Sequence, residues 1–165
     1  MSEAVLDALT GLLRTDPEFV ADLRALRLGL GGTDALPGVL EDNRPFAQLG
    51  QEHMPCWVIE AGDSRGATAS DYGDAGGLVI GSSQQDWEDE YILALVWLDQ
   101  DFGRALRVRK RVHAAVVRLL LRNPGLGGAE FAYVASVLND RNASHPTHWT
   151  ALSLRAHTTL YRDAP

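Results

Sequence analysis

The segment Glu90–Leu98 constrains the fold more than any other stretch of this chain. Read as a strand, it is apolar on both faces: Tyr91, Leu93, Leu95 and Trp97 lie on one, and Ile92, Ala94, Val96 and Leu98 on the other. Such a strand is covered above and below, and so belongs in the interior of a sheet. Its apolar run is far shorter than the roughly 20 residues a membrane-spanning helix needs. The next segment, Phe102–Arg122, has the helical period. Ala105, Val108, Val112, Ala115, Val116 and Leu119 gather on one side of the wheel, Leu106 and Leu120 widen the arc, and Asn123-Pro124-Gly125 stops the helix.

The rest of the chain is read around this pair. Val5, Leu6, Leu9, Leu12 and Leu13 give Ser2–Arg14 one apolar helical face, with Ser2 available as its N-cap. A second helix starts at Thr15 or Asp16, with Pro17 and Glu18 in its first turn, carries Phe19, Val20, Leu23, Leu26 and Leu30, and ends at Gly29, Gly31 and Gly32. Residues 31–55, marked by Pro37, Pro45 and Pro55, form a long connector whose apolar residues Leu36, Val39, Leu40, Phe46 and Leu49 have no period. A connector of that length is expected to touch a partner. Cys56–Ile59 reads as a short strand, residues 61–77 as a flexible loop, and Leu78–Ile80 as a further short strand. Phe131–Leu138 and Trp149–Tyr161 read as a closing strand pair joined by the loop Asp140–Thr147. Leu152, Leu154, Ala156 and Leu160 alternate with Ser153, Arg155, His157 and Thr159, as in a half-buried antiparallel strand. The expected fold class is α+β: a mainly antiparallel sheet with one long helix packed on it and N-terminal helices, in a single domain over 1–165.

Composition narrows the function. The 165 residues are 45% hydrophobic and 22% charged, which fits one soluble globular core. Met-Ser-Glu-Ala-Val-Leu-Asp has no basic stretch before its apolar residues and does not read as a secretory signal. Cys56 is the one cysteine, so neither an intrachain disulfide nor a single-chain cysteine zinc site is available. That suits a reducing compartment, or a particle assembled inside a cell. A net charge of −7 argues against general nucleic-acid binding. There is no phosphate loop, dinucleotide fingerprint or Gly-x-Ser-x-Gly elbow, and no cofactor is expected.

Charge on the long helix is the feature with chemical content. Arg104, Arg107, Arg111, Arg118 and Arg122 fall within about 60° of one another on the wheel, and no acidic residue occurs from Phe102 to Ala129. The stripe is either a solvated helix face or a contact for an acidic surface, whether a neighbouring subunit or, less in keeping with the net charge, DNA in a channel. Arg109 and His113 sit inside the apolar arc, where a buried arginine needs a partner, so this end of the helix is expected to be exposed or covered by a neighbouring subunit. The acidic run Asp86, Glu88, Asp89 and Glu90 precedes the central strand. Neighbouring residues of an extended chain point apart, so the run reads as a solvated loop or a partner for the arginines rather than as converging metal ligands or catalytic carboxylates. His145 and His148 have ligand-like spacing in a hairpin loop. Of the four tryptophans, Trp97 is expected in the core, and Trp87 and Trp149 at interfaces.

Taken in order, these elements resemble the tail-terminator (tail-completion) proteins of long-tailed bacteriophages. The matching pieces are Val5-Leu6-Asp7-Ala8-Leu9 with Leu12-Leu13 and Asp16-Pro17; Met54-Pro55-Cys56-Trp57-Val58-Ile59-Glu60; Asp89 to Trp97; the helix Arg104–Arg122; and the strand Trp149–Leu160. The resemblance implies a non-enzymatic virion protein that closes into a six-fold ring. The ring would cap the last tail-tube ring, end tube polymerisation, and present its other face to the head-side connector or stopper protein, with non-specific contact to DNA in the channel. Its interface residues would be Arg104, Arg107, Arg111, Arg118, Arg122, Asp86, Glu88, Asp89, Glu90 and Phe46. Related neck and minor tail proteins share such a fold, and a small hydrolase built on loop-borne His148 and Asp140 is the alternative from another class.

Overall fold

The structure, a computed structural model, describes residues 3–40, 48–66, 84–140 and 144–161. Among these residues the chain is mixed α/β, with three α-helices and one five-stranded, mostly antiparallel sheet. The helices are α1 (Glu3–Thr15), α2 (Pro17–Arg24) and α3 (Phe102–Arg122), and the strands are β1 (Gly38–Leu40), β2 (Cys56–Gly66), β3 (Gln84–Leu98), β4 (Phe131–Asn139) and β5 (Thr147–Tyr161). Ser2, Phe46 and Leu78–Ile80 lie outside the described residues.

Local chemistry sets the helix ends. The Asp16 carboxylate accepts the Phe19 N–H at 2.8 Å and Pro17 supplies the first turn, so α2 begins where the sequence places it. It is shorter than expected. It stops at Arg24, and Arg27 takes a positive φ of 52°, so Leu26 and Leu28 are buried from a turn and Leu30 is exposed. Asp101 caps α3 by accepting the Arg104 N–H at 3.1 Å, and the Asn123 side chain closes the other end on the Leu119 carbonyl at 2.9 Å. The turn Leu126–Gly128 then passes against α1. Gly127 has a φ of 59°, and a Cβ there would run into the Ala4 carbonyl, so this approach requires glycine.

The sheet order is β1-β2-β3-β5-β4. β3 pairs with β2 (Cys56 opposite Val96) and with β5 (Leu93 opposite Leu152), so the doubly apolar segment is the central strand. It begins at Gln84, six residues before the expected start. β2 runs on to Gly66 through residues expected in a loop, and shifts register between Ala61 and Ser64. β1 lies inside the supposed connector and pairs in parallel with β2 (Val39 opposite Trp57). A three-residue strand has too few positions to show alternation, which is why it reads as unpatterned.

One sheet face contributes Trp57, Ile59, Leu93, Leu95, Trp97, Leu152 and Leu154 to a cluster that also holds Val5, Leu9, Leu13, Phe19, Leu23, Val108, Val112, Val116 and Leu119. On the other face Cys56, Val58 and Val96 make a smaller cluster, joined by Leu40, Leu49, Met54 and Trp149. Connector side chains Val39, Leu40 and Leu49 are therefore packed on their own chain, whereas Leu36 is exposed. Trp149, expected at an interface, packs against this second cluster.

Candidate assembly interface

The arginines of α3 do not act as one stripe. Arg122 bonds Asp16 at 2.7 Å and Glu18 at 3.0 Å, and Arg118 bonds Asp22 at 2.7 Å, which ties this flank of α3 to α2. Burial works to raise the Asp16 carboxyl, but the Phe19 N–H and Arg122 outweigh it and hold the group below the usual carboxylate range. Arg104 reaches the Asp99 carboxylate at 3.1 Å and donates to the carbonyls of Leu26 and Arg27. The expected counterparts of these arginines are Asp86, Glu88, Asp89 and Glu90, whereas the carboxylates that meet Arg104, Arg118 and Arg122 come from α2 with its cap and from the turn before α3. Arg107 and Arg111 differ: both are exposed, and Arg107 lies near the Asp101 cap carboxylate rather than reaching α2.

The acidic run is in β3 and not in a loop, and its members separate as strand alternation requires. Glu88 is buried, accepting from Arg155 at 2.9 Å and from the Tyr133 hydroxyl at 3.3 Å. Glu90 accepts from Ser153 at 2.5 Å on the same face, while Asp89 points the other way and accepts from Ser64. Asp86 pairs through its backbone with Thr159. Glu88, Asp89 and Glu90 thus have partners within the chain. Arg155 was visible in sequence only as a polar position of β5. Its role follows from register, which sets Glu90 opposite Arg155 and Glu88 two positions along on the same face.

Arg109 is buried within its own chain rather than exposed or covered by a neighbouring subunit, because partners for its charge come from the β4–β5 hairpin. One guanidinium nitrogen lies 3.2 Å from His148 Nδ1 and 3.5 Å from Asp140 Oδ2. His148 Nε2 faces the Asp99 carbonyl at 3.1 Å. A carbonyl only accepts, so Nε2 carries the proton, and Nδ1 of the neutral ring accepts from Arg109. His148 is fully buried and Asp140 nearly so. The two residues named for a hydrolase do come together, 3.5 Å apart, but both ring nitrogens are engaged and neither group meets solvent. The same bonds occupy the lone pair that His148 would offer a metal beside His145. His113, by contrast, is exposed, together with Leu106 at the same margin of the arc.

A scan against protein-family models and a search of curated proteins both found no match. Among the described residues no helix is long and apolar enough to cross a membrane.

Proposed function

We propose that this chain is a non-enzymatic subunit of a self-assembling ring of the tail-terminator type. In this reading α3 lies on the sheet and shares one layer with the N-terminal helices. The ring ends tail-tube polymerisation and joins the tube to a head-side connector, within the virion neck. The order of elements supports it: N-terminal helices, a strand entered directly after Pro55, a long central strand, a long helix and a closing strand pair. The observation that carries it is Arg107 and Arg111, two exposed cations of α3 that stand apart from the ion pairs to α2, with the exposed Asp101 cap near Arg107. Seven of the 15 basic residues lie on α3, leaving eight against 22 acidic residues elsewhere. Charge segregated in this way suits a head-to-tail contact, in which one copy's basic helix meets an acidic surface of the next. A contact of that kind that rotates without translating closes and stops growing.

The test is sedimentation of the wild type and of Arg107→Glu with Arg111→Glu across a salt series. Both side chains are exposed, so the variant keeps its fold, and its assembly is weaker than that of the wild type at low ionic strength. High salt weakens wild-type assembly in the same direction. Equal assembly of the two proteins at low salt would leave these arginines as a solvated face.

A further inference from the structure

The turn after α2 carries an arginine where its backbone favours glycine. The N–H groups of Leu26 and Arg27 donate to the carbonyls of Leu23 and Arg24 at 3.0 and 3.1 Å, and Arg27 itself sits in the left-handed region at a φ of 52°. Glycine takes that conformation freely and is the usual residue past a helix end, whereas any residue with a Cβ is strained there. A few residues on, Gly31 and Gly32 take the same conformation with φ of 68° and 77°. The backbone gives no reason for an arginine at position 27, so its reason lies in the side chain. Strain of this kind gathers where a chain holds a ligand.

That side chain lines a cavity of about 450 Å³ between this turn, the end of β3 and the start of α3. The charged residues in its wall are Arg27, Asp99 and Arg104. Two of them cancel. The buried Asp99 carboxylate accepts the Asp101 N–H at 3.0 Å and meets Arg104 at 3.1 Å. Arg104 also donates to the carbonyls of Leu26 and Arg27, so its guanidinium is fixed between the turn and Asp99. Arg27 is left: its side chain is exposed and pairs with no carboxylate among the described residues. One arginine therefore gives the cavity its net positive charge. Gln51 and Gln100 add carboxamides, and Leu30, 65% exposed, and half-buried Leu98 add apolar wall.

We infer that this cavity binds a monocarboxylate with a short apolar body, its carboxylate held by the Arg27 guanidinium and its body against Leu30 and Leu98. The planar fork of an arginine matches the two oxygens of a carboxylate. One uncommitted cation suits a single negative charge. A phosphate dianion asks for a second cation, and Arg104 is already spent on Asp99, whose own charge repels a dianion further. The volume lies within the range of small-ligand sites. A free short-chain acid and the terminal residue of a peptide share this chemistry. The site stands independently of the ring reading.

The experiment is a saturation-transfer NMR titration of the full chain with sodium hexanoate at constant ionic strength, a readout that works whatever the oligomeric state. Acetate tests the apolar wall, hexanamide the charge, and a tripeptide ending in leucine, with its terminus free or amidated, the second source. Hexanoate or the free-terminus peptide gives a saturable signal near about 1 mM, acetate binds more weakly than hexanoate, and the two amides give none. Whichever of the two carboxylates binds more tightly identifies the source. Arg27→Gly relieves the backbone strain, so it melts at or above the wild-type temperature while binding falls about tenfold or more. Arg27→Gln, which keeps the strain and loses the charge, loses binding equally. No saturable signal with either carboxylate overturns the inference. So does binding that is unchanged in both Arg27 variants, or an amide that binds as well as its acid.

Discussion

Replacing Arg109 with methionine removes a buried cation from between His148 and Asp140 while keeping most of the side-chain volume. Arg109 is 8% exposed, Asp140 3% and His148 0%, so water does not readily replace the lost guanidinium. The Asp140 carboxylate loses its cation at 3.5 Å, and His148 Nδ1 loses its donor at 3.2 Å. Breaking a buried pair from one side costs about 3–5 kcal/mol. For a domain of this size that is a fall in melting temperature of about 2–4 °C per kcal/mol. The cost belongs mainly to the stranded carboxylate, so Asp140→Asn in the same chain should recover part of it. The double variant is then more stable than the sum of the single losses predicts, by about 1 kcal/mol or more. A reversible urea titration of the four proteins, followed by tryptophan fluorescence, measures all the terms. A single-variant loss under 1 kcal/mol, or strictly additive losses, would refute the view that this cluster holds the β4–β5 hairpin to α3.

Three further outcomes follow from the same geometry. Leu95→Ala should cost about 2–5 kcal/mol, because Leu95 is fully buried in the cluster that includes Val112; a loss under 1 kcal/mol in the urea titration would mean that β3 is not central to the core. Asp16→Ala should cost about 1 kcal/mol at neutral pH through the lost α2 cap. The folded Asp16 carboxyl titrates below its ordinary range, so its contribution is present above the unfolded value and fades as pH falls through the folded one; a wild-type-to-variant gap that widens in acid would contradict this. Cys56 is fully buried and burial pushes its thiol up to about 11, so thiol reagents should label it at the rate of unfolding; rapid labelling of the native protein at neutral pH would show a different environment.

Long-period features were legible in the sequence, and pairings across the sheet were not. Glu90–Leu98 announced a central strand because both alternating faces are apolar, and α3 announced itself through an arc sustained over several turns. The wheel put Arg109 inside the apolar arc but not its burial on its own chain, since Asp140 and His148 lie 31 and 39 residues away along the chain, and only the hairpin register brings them to it. The partners of Arg118 and Arg122 on α2 were hidden for the same reason, since local spacing says nothing about a contact |i−j| of 96 or 106. The acidic start of β3 looked like a loop because four carboxylates in five residues outweigh strand propensity. Register sets Arg155, Ser153 and Ser64 beside three of them, and tertiary pairing overrides the local preference.

The central claim is that copies of this chain close on one another. Native mass spectrometry of the purified protein at low ionic strength, with negative-stain images of the same sample, tests it most directly. The account predicts one dominant closed species of six copies of the 17.9 kDa chain, about 107 kDa and ring-shaped in the images. A monomer that persists at every concentration and salt condition, or an open series of oligomers without a closed member, would contradict it.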